Sequence, residues 1–477
     1  MSRRAHAHGS GPLRVFLLVL LAAGPLLAGA VHEPVFVPFL AGCAVAGLVA
    51  LLRPRHVPGA QLPGAALLVG LHALVLLQLV PLPPVLLRAL SPGSYAFYDA
   101  QLLSPPLAGW RPISVSPPDT LRGLAFLAAF SLLALAAFRE MAEGPWRRRL
   151  LLTVVGTGVA LTVVAFLQAV SPEPRKIYGL WRPRWDWAVF GPYVNRNHFA
   201  GYLVMAAPLA IGFALEAVSR LRAAWGRRRR GWLLLGEPEG NAVVRWSAVV
   251  MVIVAGLLAS QSRGGVSAFA LTALLLPLAS RRRRRTALGV ALLVALGVVW
   301  IGFGGLLSAF RTRGIQGSRL DLWRDMLPMV PRFPVFGAGW NAFATAFPWY
   351  QTVWKTEWIG EAHNDYLQTL LDGGLLGAVL VAGLLAVVFR GALARAARSP
   401  LDLGLLGALL GFALHELVDF NGQIPANAAT WIALAALAIA PVRDPSHPGV
   451  LMRGGGTPRM TASVVLPASP RGGAARV

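Results

Sequence analysis

The chain is poor in cysteine and in charge. Its 477 residues include one cysteine, Cys43, in an apolar run, so neither a disulfide nor a thiolate metal site can form within one chain. Charged residues make up 13% of the chain, whereas a soluble domain of this length would carry roughly twice that share. The low charge therefore excludes an ordinary soluble domain.

Several motifs of phosphate-binding and metal-dependent enzymes are also missing. The sequence has no nucleophile elbow, no glycine loop ending in Gly-Lys-Ser/Thr and no His-Glu-x-x-His zinc motif. It also has no Asp-x-Asp pair of the kind that holds a divalent metal against a sugar diphosphate. We therefore expect no metal and no cofactor, and arginine would have to supply positive charge to a phosphate.

Long apolar runs dominate what is present. The hydrophobic fraction is 56% and the mean hydropathy is +0.60. Each of these runs is long enough to cross a bilayer as a helix. The pattern predicts an all-α polytopic membrane protein with about twelve spans, near 13–31, 35–52, 64–82, 120–138, 150–170, 198–216, 242–260, 264–280, 286–306, 366–389, 401–418 and 425–441.

The basic residues favour a membrane topology over nucleic-acid binding. The net charge of +24 is large, but the arginines stand in short blocks between apolar runs. Alternate connections receive these blocks, as the positive-inside rule expects for the cytoplasmic side. The blocks are Arg3/Arg4, Arg53/Arg55, Arg139 with Arg147–Arg149, Arg220 with Arg227–Arg230, Arg281–Arg285, Arg390/Arg395/Arg398 and the final tail.

Both termini are therefore predicted to be cytoplasmic. The predicted divisions are an N-terminal tail at 1–12, a helical bundle at 13–441 and a disordered tail at 442–477, rich in Pro, Gly, Ser and Arg. The first span has an alternative interpretation, because basic residues, an apolar stretch and Leu27-Ala28-Gly29-Ala30 resemble a cleavable signal peptide.

The opposite face carries a long loop at 307–365, between the ninth and tenth spans. It is rich in tryptophan, with Trp323, Trp340, Trp349, Trp354 and Trp358. Tryptophan favours the membrane interface, and sugars also stack on its ring. Both interpretations stay open for these residues.

Four polar motifs fall on the same non-cytoplasmic side. They are Asn195-Arg196-Asn197-His198, Ser260-Gln261-Ser262-Arg263-Gly264-Gly265, Gly317-Ser318-Arg319-Leu320-Asp321-Leu322-Trp323, and Glu361-Ala362-His363-Asn364-Asp365. Polar groups beside membrane spans are costly, so such clusters favour chemistry or binding. His415, Glu416 and Asp419 end another span and either line the same cavity or pair with arginine or backbone.

Arginine and histidine are the candidates for chemistry. The guanidinium of Arg263, between Ser262 and two glycines, can bind phosphate oxygens through two parallel hydrogen bonds. Arg319 offers the same chemistry, although it can also pair with Asp321. His363 has the side chain suited to proton transfer near neutral pH. The alternatives are an arginine that reaches lipid head groups and a structural histidine.

At these residues the chain resembles the O-antigen ligase and polymerase superfamily. The resemblance covers roughly 190–430 and rests on Asn195–Tyr202, Ser262-Arg263-Gly264, Arg319 four before Trp323, Gly337-x-Gly339, His363-Asn364-x-x-Leu367, Asp419-Phe420-Asn421 and Pro425-Ala426-Asn427. It implies a membrane glycosyltransferase that moves a glycan from undecaprenyl pyrophosphate to an acceptor on the periplasmic face of the bacterial inner membrane, without a metal.

The resemblance also implies residue roles. Arg263 and Arg319 would bind the donor pyrophosphate and stabilise its departing charge. His363 would act as general base on the acceptor hydroxyl or position it. The other expected substrate-binding residues are Asn195, Arg196, Asn197, Ser262, Trp323, Asn364, Asp365 and Asp419.

The family does not fix the acceptor. We expect a ligase that uses lipid A core. The alternatives are a polymerase of O-antigen or exopolysaccharide, a protein glycosylating enzyme, and a transporter of lipid-linked oligosaccharide. A transporter would need polar residues in both halves of the membrane, whereas the motifs here gather on one side.

Overall fold

The computed structural model describes residues 11–53, 61–102, 105–142, 144–184, 188–225, 236–279, 319–353, 355–443 and 451–452. The chain divides into two compact units, Met1–Ala440 and Pro441–Val477. In the second unit, β1 (Val442–Arg443) and β2 (Leu451–Met452) pair in antiparallel register. These strands lie within the stretch predicted to be a disordered tail, and residues 444–450 and 453–477 lie outside the described residues.

In the described parts of the first unit, the regular elements are helices, and three isolated β-bridges lie in the connections. Its α-helices are α1 (Gly11–Leu26), α2 (Glu33–Leu52), α3 (Ala65–Gln78), α4 (Pro84–Leu90), α5 (Pro92–Ala100), α6 (Pro117–Glu140), α7 (Gly144–Ala169), α8 (Arg196–Trp225), α9 (Pro238–Ala259), α10 (Arg263–Leu275), α11 (Arg319–Met326), α12 (Phe343–Ala346), α13 (Asp365–Ala396), α14 (Pro400–His415) and α15 (Pro425–Ile439). Short 3₁₀ turns lie at Ala28–Ala30, Leu276–Ala279, Leu327–Met329, Phe347–Trp349 and Asn421–Gln423.

The helices coincide with the predicted spans wherever the structure describes them. Helices α2, α6, α7, α8, α9 and α13 are long and apolar enough to cross a membrane. Helices α1, α3, α10, α14 and α15 are apolar but shorter. The ninth predicted span, 286–306, lies outside the described residues. The helical class is therefore confirmed, while the count of twelve spans stays a prediction.

Helix α8 lies at the centre of the bundle. It packs against α7, α9 and α14, and buried residues follow its length. Its backbone touches that of α14, because a Cβ built on Gly404 would lie 2.6 Å from the Pro208 carbonyl oxygen. Small residues at such crossings let apolar helices approach closely when lipid supplies no hydrophobic drive between them.

Three ion pairs that join different helices lie at one end of the bundle. They are Arg14–Glu140 at 3.1 Å, Arg147–Asp402 at 2.7 Å and Arg148–Glu216 at 2.8 Å. These residues adjoin the arginine blocks that the sequence predicts to be cytoplasmic. His198 and His415 lie at the opposite ends of α8 and α14 from Glu216 and Asp402. The polar motifs and the arginine blocks thus occupy opposite ends of the same helices.

The described part of the long loop folds against the bundle. Gln78, at the end of α3, donates through Nε2 to the Asp372 carbonyl oxygen at 2.8 Å, and its Oε1 accepts from the Trp340 N–H at 2.9 Å. Asp372 Oδ1 accepts from the Phe343 N–H at 2.8 Å. The Gly337–Trp340 segment is therefore held between α3 and α13, which places the loop above the start of α13.

The α8–α14 contact generates a prediction about stability. Gly404→Ala should destabilise the protein by roughly 1–3 kcal/mol, because the new methyl group meets backbone that cannot move aside. The measurement is thermal unfolding of detergent-solubilised protein. Gly156→Ala in α7 is the matched control, because nothing lies within 4 Å of its Cβ position. Equal unfolding temperatures for the two variants would contradict the close crossing.

Candidate active site

Asp419 is the centre of a buried charged cluster between α14 and α15. The residue is 1% exposed. Arg319 Nη2 lies 3.5 Å from its Oδ2, His198 Nε2 lies 3.5 Å from its Oδ1, and His415 Nε2 lies 3.9 Å from its Oδ2. The Phe420 N–H also donates to Oδ1 at 2.9 Å. We call Asp419, Arg319, His198, His415 and the adjoining His363 the Asp419 cluster.

The Asp419 carboxylate is held in its charged form. Burial by itself raises the pKa of a carboxyl, but His198, His415 and Arg319 outweigh it and hold the pKa of Asp419 well below its usual range. A buried anion of this kind fixes the positions of the groups around it. Asp419 was expected to bind substrate, and the structure places it among Arg319, His198 and His415.

His363, at the edge of this cluster, has a ring nitrogen without a hydrogen-bond partner in the protein. Its ring packs edge-on against Phe420 at a centroid distance of 4.9 Å, and the His198 ring meets the same Phe420 at 4.7 Å. His363 Nδ1 is buried and has no hydrogen-bond partner. Burial, then the charge of Arg319, lowers the pKa of His363 to about 4. The imidazole is therefore neutral near pH 7 and can accept a hydrogen bond or a proton.

The backbone around His363 sets the direction of its ring. His363 has a φ of 54°, in the left-handed region that a residue with a side chain rarely adopts. On one side, the Ala362 carbonyl oxygen accepts from Trp323 Nε1 at 2.8 Å. On the other, Asn364 caps α13 by accepting from the Leu367 N–H at 3.0 Å. Trp323 and Asn364, both expected to bind substrate, thus hold the histidine segment in place.

The Ser262-Arg263-Gly264 turn reaches the same region. Ser262 is buried and caps α10 by accepting from the Gly265 N–H at 3.3 Å, and Arg263 is the first residue of α10. A Cβ on Gly264 would lie 3.1 Å from His415 Nε2. The glycine therefore allows the close approach of His415.

The Asn195–His198 motif begins α8. Asn195 Oδ1 accepts from the Asn197 N–H at 2.9 Å, and the Asn195 carbonyl oxygen accepts from the His198 N–H at 3.0 Å. The Arg196 N–H donates to the Ala188 carbonyl oxygen at 2.7 Å. These bonds fix the start of α8 and so position His198 beside Asp419. Direct substrate binding by Asn195, Arg196 and Asn197 stays a prediction.

A buried amide network links these segments. Asn427 Nδ2 donates to the His198 carbonyl oxygen at 2.8 Å and to Asn421 Oδ1 at 2.9 Å. Tyr193 donates its hydroxyl to Asn427 Oδ1 at 2.7 Å, and Asn421 Nδ2 lies 3.4 Å from His415 Nδ1. Tyr193 was not among the predicted site residues, whereas His415 was noted as a residue that either lines the cavity or pairs with arginine or backbone.

A second group of polar side chains lies outside the Asp419 cluster. Asp365 Oδ2 and Glu416 Oε2 both accept from the Gly422 N–H, at 2.9 and 3.0 Å, which brings their carboxyls together. Glu361 accepts from Gln368 Nε2 at 2.7 Å. Burial, assisted by the negative charges of Asp365 and Asp372, raises the pKa of Glu361 to about 8. Asp365, which was expected to bind substrate, therefore belongs to a cluster of carboxyl side chains that is separate from the arginines.

No metal centre emerges from the side chains in the described ranges. Within them, no group of three or more His, Cys, Asp or Glu residues has an arrangement that could hold a metal ion. The Asp419 cluster instead combines one buried carboxylate, one guanidinium and neutral imidazole. Such a set can bind an anionic group and move a proton.

The fold and this cluster define a helical membrane protein with an Arg/His site at one end of its bundle. Residues 247–382 match the family model described as Wzy_C, O-antigen ligase. The predicted resemblance to that superfamily is therefore confirmed over this stretch. The match supports glycosyl transfer of the ligase or polymerase type in general. No curated protein matches the chain.

The match covers only part of the site. It includes Arg263, Arg319 and His363, and it excludes Asn195–His198 and Asp419. It is also narrower than the predicted resemblance over 190–430. The structure therefore adds residues that lie outside the matched stretch, through their contacts with those inside it.

The raised pKa of Glu361 generates a prediction about pH and stability. The unfolded chain loses this proton near pH 4.5, whereas the folded protein keeps it until about pH 8. The unfolding free energy should therefore fall as the pH rises between these values. Glu361→Gln should flatten this decline, as measured by thermal unfolding at pH 5, 6, 7 and 8. The exposed Glu357→Gln is the control, and a decline that persists unchanged in Glu361→Gln would refute the assignment.

Proposed function

We propose that this protein transfers a glycan from undecaprenyl pyrophosphate to an acceptor hydroxyl at the periplasmic face of the inner membrane, as an O-antigen ligase acting on lipid A core. One observation carries this proposal. Arg319, His198, His363, His415 and the Ser262–Gly264 turn, which come from distant parts of the chain, meet around Asp419 at one end of the bundle. The family match supports the reaction class.

Arginine would bind the donor in this proposal. Arg319 opens α11 with its side chain one-third exposed, so a ligand can reach it while Asp419 holds it. Arg263 opens α10 within the turn that packs on His415. Two guanidinium groups at helix starts favour a pyrophosphate, because they offer forked hydrogen bonds and the positive end of the helix dipole.

The reaction is a direct displacement. The acceptor hydroxyl oxygen forms a bond to the anomeric carbon as the bond from that carbon to the pyrophosphate oxygen breaks. The electron pair leaves with undecaprenyl pyrophosphate, where the arginines stabilise the charge, and the hydroxyl proton passes to His363. Because its pKa is about 4, His363 is a weak base, which favours a role in orienting the hydroxyl as much as in removing its proton.

The arginines at one end of the helices support the proposed orientation of the protein in the membrane. The ion-paired helix ends adjoin the arginine blocks, and the Asp419 cluster occupies the other end of α8 and α14. Under the positive-inside rule the cluster faces the periplasm and the termini face the cytoplasm.

The function is tested with purified protein, undecaprenyl-pyrophosphate oligosaccharide and EDTA, with lipid A core or without an added acceptor. Glycan on lipid A core, reduced about 10²-fold or more in His363→Ala, is the expected result. Longer lipid-linked chains without added acceptor would identify a polymerase instead. If neither product forms while the lipid crosses liposome bilayers, the transporter interpretation replaces the enzyme.

Arginine geometry is tested on one helix. Arg319→Lys should reduce transfer roughly 10²-fold, because lysine keeps the charge but lacks the planar fork. Arg324→Lys on α11 is the matched control, since the Arg324 side chain is 78% exposed, and it should keep full activity. Initial rates at saturating donor make the comparison, and full activity in Arg319→Lys would remove the fork from the mechanism.

A further inference from the structure

A groove separate from the Asp419 cluster runs between α6, α13, α14 and α15. It has a volume of about 480 Å³. Most of its wall is apolar, formed by Phe126, Leu127, Phe130, Leu385, Phe412 and Trp431. Along α13 its lining extends from Asp365 to Leu385, across a break in the helix at Gly374. A mostly apolar lining that follows several turns of one helix suits an extended apolar chain.

One end of the groove is acidic. Glu361, Asp365, Asp372 and Glu416 line it, and none of its lining residues in the described ranges is Lys, Arg or His. Carboxylates taken out of water without a nearby cation are costly, and burial therefore raises the pKa of Glu361 to about 8. A ligand that brings a positive charge to this wall would stabilise the ionised form of these carboxyls, whereas a phosphate would oppose it.

Glu416 offers an acceptor to such a ligand. The residue is 4% exposed and lines the groove. Its Oε2 accepts from the Gly422 N–H, but its buried Oε1 has no hydrogen-bond partner. Both oxygens of the neighbouring Asp365 accept protein donors, Gly422 N–H at 2.9 Å and Gln423 Nε2 at 3.1 Å. Glu416 Oε1 is therefore the acceptor left for a donor that comes from outside the protein.

The groove and the Asp419 cluster share a wall but not their residues. The segment 416–423 presents Asp419 to the cluster and Glu416, Gly422 and Gln423 to the groove. Arg263, Arg319 and His363 do not line the groove. The charge of the two sites is opposite in character, so they select different head groups.

We propose that this groove binds an amphiphile with a single apolar chain and a primary ammonium head, the head at Glu416 and the chain along α13. The ammonium group donates hydrogen bonds to the carboxyl wall, and its positive charge stabilises the ionised form of the carboxyls. This site goes beyond the proposed glycosyl transfer, and its occupancy can be measured without any transfer reaction.

Native mass spectrometry of the detergent-solubilised full chain tests the proposal. The probes are hexadecylamine, hexadecanol and ethylamine, titrated separately. Hexadecylamine should form a one-to-one adduct with about tenfold higher affinity than either of the others. Equal affinity for hexadecanol would overturn the ammonium assignment. Equal affinity for ethylamine would overturn the chain assignment, because the ligand would then be a free amine.

Variants separate the head from the chain. Glu416→Gln should lower hexadecylamine affinity to the level of hexadecanol while leaving hexadecanol binding unchanged. Leu127→Trp should fill the apolar wall and weaken both long-chain probes. Glu173→Gln, at an exposed carboxyl outside the groove, is the control and should bind as the parent does. Monodisperse elution and an unchanged unfolding temperature show that each variant is folded, and full hexadecylamine affinity in folded Glu416→Gln would refute the site.

Discussion

The buried charge of Asp419 is the interaction on which the candidate site depends. A carboxylate removed from water must be paired with cations or hydrogen-bond donors. Removing one of these partners leaves an uncompensated buried charge, which costs far more free energy than the loss of an exposed ion pair. Asp419 therefore holds Arg319, His198 and His415 near one another, although they belong to different helices. The amide network through Asn421 and Asn427 ties His198 and His415 to the loop between α14 and α15, so this loop behaves as a scaffold.

Two electrostatic environments result on either side of that loop. On one side, a carboxylate beside one guanidinium and neutral imidazole leaves the exposed part of Arg319 available to an anion. On the other, carboxyls without a cation among their described neighbours favour the opposite charge. The narrowness of the loop places both within reach of the start of α13, and so a single helix start adjoins two sites of different selectivity.

The helices could be predicted from the sequence because their signal is local. A run of apolar residues must satisfy its backbone internally in lipid, and a helix does so within the run itself. The motifs around Arg263, Arg319 and His363 could also be found, since polar residues stand out between such runs. What Gly264 and Asn195 contact could not be found this way. Gly264 leaves room for the His415 ring, which is distant in sequence. Asn195 caps α8, which depends on local backbone geometry. Gln78, which ties Trp340 to Asp372, was visible only as a lone amide in an apolar run.

The left-handed backbone of His363 has a consequence for how the protein tolerates change. A side chain in that conformation costs about 1–3 kcal/mol, and the surrounding hydrogen bonds through Trp323 and Asn364 maintain it. Glycine or asparagine would relieve this cost while deleting the imidazole. Selection for robustness alone would therefore drive this position away from histidine, and a lineage that no longer needed the chemistry would gain stability by losing it.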